Sequence, residues 1–90
     1  MIKPDEVTFL MIMQLRCRTY GDAGEMPRVI IASIPHLIKE KRAHYLLEKW
    51  TGKGWYDYGT VVDGGWLTKA GKAASYEKEW TEQTANEHNL

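Results

Sequence analysis

Hydrophobic positions dominate the first segment of the chain, residues 4–20, in a pattern with two interpretations. The odd positions of this segment are apolar, namely Val7, Phe9, Met11, Met13, Leu15 and Cys17. Such alternation is typical of a strand, but the run is long for a strand, and Leu and Met favour helices. Pro4 followed by Asp5 and Glu6 is typical of a helix start, because proline suits the first turn and carboxylates complement the helix dipole. We therefore predict a helix over residues 4–20.

Two further helices are predicted in the middle of the chain. The second begins at Pro27 and ends near Ser33, because Pro35 disfavours helical geometry at the residue before it. The third covers residues 36–50, and its apolar side chains fall on one stripe. These core-facing positions are Ala43, Leu46, Leu47 and Trp50. The far side of the third helix presents Lys41, Tyr45, Glu48 and Lys49, with Arg42 and His44 beside it. Two glycines just beyond the helix are expected to end it.

A hairpin and a last helix are predicted to follow. Residues 55–62 are rich in aromatic and β-branched side chains, as strands are. Asp63-Gly64 is typical of a two-residue turn in which both residues have a positive φ, and residues 65–67 form the returning strand. Thr68 caps a final helix, whose less polar positions are Ala70, Ala73, Ala74, Tyr76 and Trp80.

The length of 90 residues and the composition fit one small domain. We expect this domain over residues 1–80 and a flexible polar tail over residues 81–90. Cys17 is the single cysteine, which excludes a secreted scaffold held by internal disulfides. The longest unbroken apolar run, residues 9–13, is too short for a membrane span or a signal peptide. The default expectation is a cytoplasmic protein without membrane contact.

Candidate catalytic and metal-binding residues are sparse. His36 and His44 are eight residues apart, whereas ligands on one helix face lie three or four residues apart, and no cysteine cluster accompanies the two histidines. Gly52-Lys53-Gly54 lacks the length and the hydroxyl residue of a phosphate-binding loop. The chain is therefore predicted to be no enzyme and to need no metal or other cofactor.

The net charge of zero, from 12 Lys and Arg against 12 Asp and Glu, conceals an uneven distribution. Residues 28–53 carry a net charge of +4, whereas residues 1–27 carry −1 and residues 54–90 carry −3. The basic segment contains the predicted second and third helices. A solvated helix face is one explanation of this segment, and contact with an anionic partner such as nucleic acid is the other.

Three stretches of the chain resemble the winged helix-turn-helix superfamily. Residues 25–32 resemble the start of its short second helix, and residues 43–55 resemble the end of its recognition helix with the glycine before the wing. Residues 67–74, which read Leu-Thr-Lys-Ala-Gly-Lys-Ala-Ala, are similar to its Leu-Thr-x-x-Gly-x-x-Ala exit from the wing. The resemblance covers residues 4–80. It implies a mostly helical α+β fold with a three-helix core, a two-stranded wing hairpin and a C-terminal helix.

The resemblance implies a small bacterial or phage transcriptional regulator that binds double-stranded DNA with its third helix in the major groove. The residues implied to contact DNA lie on the second and third helices and beside the hairpin: Arg28, Lys39, Lys41, Arg42, His44, Tyr45, Lys49, Lys53, Lys69 and Lys72. The hairpin departs from the family pattern, because Asp57 and Asp63 stand where cations usually enter the minor groove. A homodimer through the C-terminal helix is also implied, and Trp80 on this helix is expected either in the core or in the dimer contact.

The aromatic hairpin supports a different function on the same fold. Trp55, Tyr56, Tyr58 and Trp66 concentrate aromatic side chains of the kind that protein interfaces favour. The alternative function is therefore a protein-interaction module, such as a phage-type inhibitor that binds a host protein. Because strand side chains alternate between faces, about half of these four are expected to cover the helices instead. A purely structural subunit is a third alternative.

Overall fold

Helix-forming and turn-forming residues divide the chain into a mostly helical α+β fold, as predicted. The computed structural model describes residues 2–76, so the predicted core or dimer contact of Trp80 and the predicted tail over residues 81–90 lie outside the described residues. The described elements are α1 (Pro4–Arg16), α2 (Pro27–Ser33), α3 (Glu40–Lys53), β1 (Tyr56–Asp57), β2 (Trp66–Leu67) and α4 (Lys69–Ala73). The two strands form an antiparallel sheet in which Tyr56 pairs with Leu67.

α1 begins at the predicted proline but ends four residues before the predicted position. It ends at Arg16 because Cys17 is extended, with φ −73° and ψ 142°. The backbone beyond it pairs with two distant segments. The N–H of Arg18 donates to the Glu25 carbonyl at 3.0 Å, and the Arg18 carbonyl accepts from the Leu67 N–H at 3.0 Å. Hydrophobic periodicity does not report such pairing, so the predicted extension to residue 20 is wrong.

α3 begins later in the chain than predicted because a turn separates it from α2. α2 ends at Ser33 as predicted, but α3 begins at Glu40 rather than at residue 36. The reason is a turn in which the N–H of Ile38 donates to the Ile34 carbonyl at 3.2 Å, while the Ile38 side chain enters the core. α3 also ends later than predicted, at a C-cap on Gly54 with a left-handed φ of +79°. The prediction that a glycine ends this helix is confirmed.

The hairpin is shorter than predicted, and the predicted two-residue turn is wrong. Each strand has two residues, residues 58–65 connect them, and this loop contains a 3-10 turn over Val62–Gly64. Neither Asp63 nor the glycine after it has a positive φ. The loop is held from within the fold, because the Arg18 guanidinium donates to the Gly65 carbonyl at 2.9 Å and the Tyr56 hydroxyl accepts from the Gly65 N–H at 3.0 Å.

α4 is a short helix with the predicted cap. The Thr68 hydroxyl accepts from the Gly71 N–H at 3.0 Å, and the predicted longer helix is interrupted at Ala74, which is extended. Gly71 lies against the chain just before β1, so closely that a Cβ at this position would be 1.8 Å from the Trp55 carbonyl oxygen. The glycine of the Leu-Thr-x-x-Gly pattern is therefore required by the close packing of α4.

The core lies between the helices and the hairpin. Its largest buried side chains include Trp50, Tyr56, Phe9 and Met13, and the rings of Phe9 and Trp50 stack with their centroids 5.2 Å apart. Cys17 is buried beside them, and its burial raises the pKa of the thiol to about 11. None of the helices in residues 2–76 combines the length and the apolar character needed to cross a membrane.

Candidate functional site

The inner stripe of α3, which we define as Arg42, Lys49 and Lys53, is engaged within the fold. The Lys49 ammonium donates to both carboxylate oxygens of Glu6 from α1, each at 3.0 Å. Only 3% of the Glu6 side chain is exposed. The prediction that Lys49 lies on the outward side of α3 is wrong, because its long side chain reaches the buried carboxylate of α1.

Glu6 joins three segments of the chain through its carboxylate. The Tyr76 hydroxyl donates to Glu6 Oε2, and the Trp50 indole nitrogen lies 3.4 Å from the same oxygen. Burial raises the pKa of Glu6, but the hydrogen bonds from Tyr76 and Lys49 outweigh that effect, so the pKa lies below its usual value. Ionised Glu6 therefore holds α1 to α3 and to the residues that follow α4.

The other two cations of the inner stripe are engaged as well. Arg42 Nε donates to Asp5 Oδ2 at 3.0 Å, and this hydrogen bond holds the pKa of Asp5 below its usual value. The Arg42 guanidinium also lies 5.5 Å from the centre of the Tyr45 ring. Lys53 Nζ lies 4.5 Å from the centre of the Trp55 ring, which is a cation–π distance. Three of the cations implied to contact DNA thus make contacts inside the molecule.

The acidic tip of the predicted wing folds back onto the helices. One Asp63 carboxylate oxygen lies 3.7 Å from the Arg28 guanidinium of α2, and the other lies 3.3 Å from His44 Nε2 of α3. His44 Nε2 is buried without an aligned hydrogen bond to any described residue, so its contact with Asp63 is one of proximity. Asp63 therefore lies against two of the residues predicted to contact DNA, Arg28 and His44, instead of projecting from the hairpin.

The outer stripe of α3, defined as Lys41, Tyr45, Glu48 and Gly52, faces solvent. The exposed fraction of Tyr45 is 58%. Lys39 is also exposed, and as the N-cap of α3 it makes no side-chain hydrogen bond to the first turn. The first N–H groups of α3 thus have no side-chain cap and lie beside two exposed lysines and the exposed Glu40. The N–H groups and the lysines favour an anion, whereas the Glu40 carboxylate opposes it.

The four hairpin aromatics do not form one exposed surface. Tyr56 is 1% exposed and belongs to the core, so the prediction that its ring contacts a partner is wrong. Trp55, Tyr58 and Trp66 are half-buried. Sequence reasoning missed the exposed aromatic nearest to them, Tyr20, whose ring centroid lies 5.7 Å from that of Trp66. Its position in a glycine-containing turn is the signal that could have indicated exposure.

The lysines of α4 are exposed, as sequence reasoning assumes for a binding role. Lys69 and Lys72 both face solvent, and the Lys72 ammonium donates to the Gln14 carbonyl of α1.

Within residues 2–76, no three His, Cys, Asp or Glu side chains converge on a position where they could hold a metal ion.

No family model matches the chain, and neither a curated protein nor a solved structure matches it. Its candidate function is therefore argued from its own residues.

Proposed function

We propose that the chain is a small winged-helix DNA-binding protein, a transcriptional regulator that places the outer stripe of α3 in the major groove. The observation that carries the proposal is the uncapped N-terminus of α3 between the exposed lysines Lys39 and Lys41. Helix N–H groups and lysine amines bind phosphate oxygens, and the N-terminal residues of a recognition helix contact base edges.

The charge of the described residues supports the same proposal. Residues 28–53, which include α3 and most of α2, carry a net charge of +4 in a chain whose net charge is zero. Four of the acids, Asp5, Glu6, Glu25 and Asp63, lie in ion pairs within the fold. Lys41 and Tyr45 stand one helical turn apart on the exposed side of α3, where an amine and a ring edge reach neighbouring base pairs.

Salt-dependent binding to duplex DNA tests the proposal. In fluorescence anisotropy with a labelled random duplex, affinity should fall steeply as salt rises, because each phosphate contact contributes about 0.9 to the log–log slope. The double variant Lys39→Ser/Lys41→Ser should reduce this slope by about 1.8. Lys3→Ser, which removes an exposed lysine outside α3, is the control and should change it little. A flat salt response of the parent protein, or no binding at about 50 mM salt, would contradict the proposal.

A second candidate is a protein-interaction module, such as a phage-type inhibitor of a host protein. The observation that favours it is the balanced charge of the outer stripe, where Lys41 and Glu48 flank the exposed ring of Tyr45. Tyr45→Ala would then abolish binding of a purified partner while salt affects that binding weakly.

A further inference from the structure

The turn after α1 presents an aromatic ring on a fixed base. Tyr20 is 81% exposed, and its ring is inclined by 50° to the ring of Trp66. The turn is closed by the Asp22 N–H, which donates to the Thr19 carbonyl at 3.1 Å, and by the Thr19 hydroxyl, which donates to the Asp22 carboxylate at 3.0 Å. Gly21 supplies the left-handed φ of +83° that the turn needs. Because Thr19 also pairs with β2, the backbone that carries the ring is held in place by the fold.

Two adjoining cavities open beside Tyr20. One has a volume of about 300 Å³ and extends to Trp66, and the other has a volume of about 420 Å³ and extends to Lys69 and Lys72. Both are lined by the same three residues of the turn, and their volumes lie in the range of small-ligand sites. We name this surface the Tyr20 cradle after five of its side chains: Tyr20, Asp22, Trp66, Lys69 and Lys72.

The cradle combines three chemical functions in one place. The exposed face of Tyr20 offers a surface for stacking, and the exposed amines of Lys69 and Lys72 offer positive charge. Lys72 uses one N–H for the Gln14 carbonyl, which leaves two donors on its ammonium. The Asp22 carboxylate offers an acceptor. These functions match a nucleotide, because its base stacks, its phosphate binds amines, and the exocyclic amine of adenine, cytosine or guanine donates a hydrogen bond.

We infer that the Tyr20 cradle binds unpaired nucleotides of a single-stranded nucleic acid. In a duplex the face of each base is covered by its neighbours, so only an unpaired base stacks on Tyr20. An acidic peptide would also meet Lys69 and Lys72, but its carboxylate side chains have no aromatic face to stack on Tyr20. The cradle contains no residue of the outer stripe of α3, and the inference does not depend on duplex binding there.

Anisotropy with a fluorescein-labelled deoxyadenosine 12-mer, the full chain and about 50 mM salt tests the inference. Tyr20→Ala should weaken binding about tenfold, which is the usual consequence of losing one stacked base. Tyr20→Phe retains the ring and should bind like the parent protein. Since Tyr20 is 81% exposed, neither variant should alter the far-ultraviolet circular dichroism spectrum.

The lysines of the cradle provide a second readout. Lys69→Gln/Lys72→Gln should reduce the salt dependence of strand binding by about 1.4 in the log–log slope, because each phosphate contact to a single strand contributes about 0.7. Lys39→Ser/Lys41→Ser, the variant directed at duplex binding, should leave strand binding unchanged.

Three results would overturn the inference. These are unchanged strand binding by Tyr20→Ala, an equal loss in Tyr20→Phe, and tighter binding of a labelled glutamate-rich peptide than of the strand. If the parent protein binds the single strand but not the duplex, the proposed function is contradicted and the cradle is not. If it binds the duplex but not the single strand, the cradle is contradicted and the proposed function is not.

Discussion

On the inner side of α3, the cations Arg42, Lys49 and Lys53 all contact acidic or aromatic side chains of other segments. On the outer side, Lys41 is exposed although it is a lysine like Lys49. The difference lies in their partners, because α1 places a buried carboxylate beside one side of α3 only. Charge that is engaged within the fold stabilises it, whereas exposed charge remains available for a ligand. The same substitution made at a contacted residue and at an exposed residue of the same type therefore separates effects on stability from effects on binding.

The largest expected difference in stability is between two glycine variants, one at a tightly packed glycine and one at an exposed glycine. In Gly71→Ala the new Cβ would lie 1.8 Å from the Trp55 carbonyl oxygen and 2.7 Å from its carbon, so α4 must move. We expect a loss of about 3 kcal/mol in the free energy of unfolding, measured by urea titration. Gly52→Ala on the outer stripe meets no atom within 4 Å and should increase stability by about 0.5 kcal/mol. Equal urea midpoints for the two variants would refute this account of α4 packing.

Glutamate variants should give the next largest contrast. Glu6→Gln removes the charge that Lys49, Trp50 and Tyr76 contact, and we expect a loss of about 2 kcal/mol, with a melting temperature lower by about 10 °C. The value is below that for a fully buried pair because 34% of the Lys49 side chain is exposed. Glu48→Gln should stay within about 0.5 kcal/mol of the parent protein. A fully stable Glu6→Gln variant would mean that the buried carboxylate contributes no net stability.

Replacing Lys49 should lower stability more than replacing Lys41, by a smaller difference than for the glutamates. Replacing Lys41 should weaken duplex binding more than replacing Lys49. Lys49→Met removes the amine that lies 3.0 Å from Glu6, so stability should fall by about 1 kcal/mol. Lys41→Met should leave stability within about 0.5 kcal/mol. In the duplex assay, however, Lys41→Met should weaken binding and Lys49→Met should not. If both lysines affected binding equally, the division of α3 into two sides would be invalid for function.

The pH dependence of stability should show the smallest effect. The pKa of Glu6 lies below its ordinary value of 4.5, because hydrogen bonds from Tyr76 and Lys49 outweigh burial. A lowered pKa of a carboxyl group stabilises the fold above the unfolded-state pKa, and the stabilisation is lost as the pH falls through the folded-state pKa. Urea midpoints measured from about pH 6 to about pH 3 should therefore decline below about pH 4.5. The decline should be shallower in Glu6→Gln, and identical profiles would contradict the assignment.

Local signals predict much of the fold, and long-range contacts account for the rest. The proline at the start of α1, the glycine that ends α3 and the Thr68 cap act within a few residues, and all are found where the sequence predicts them. The hairpin loop depends instead on Arg18, which donates to a carbonyl 47 residues away. Periodicity contains no information about such a contact.

The sequence predicted which residue types occupy the candidate site, but not which of them are buried, paired or exposed. Glu6 in a first turn is explained by the helix dipole, so nothing local indicates that its carboxylate is buried against Lys49. The lysine side chain is long enough to reach either side of a helix, and the fold of α1 decides which. Lys39 and Lys41 are exposed on either side of Glu40, and neither lysine forms an ion pair within residues 2–76.

Alkylation of the buried Cys17 thiol reports local opening of the fold around it. It is the single cysteine of the chain, it is 3% exposed, and burial raises its pKa to about 11. At neutral pH an alkylating reagent can react only in the fraction of time in which the segment after α1, residues 17–19, separates from β2 and the thiol ionises freely. The rate of labelling in unmodified protein therefore measures how often this junction opens, and binding of a ligand that stabilises the closed fold should slow it.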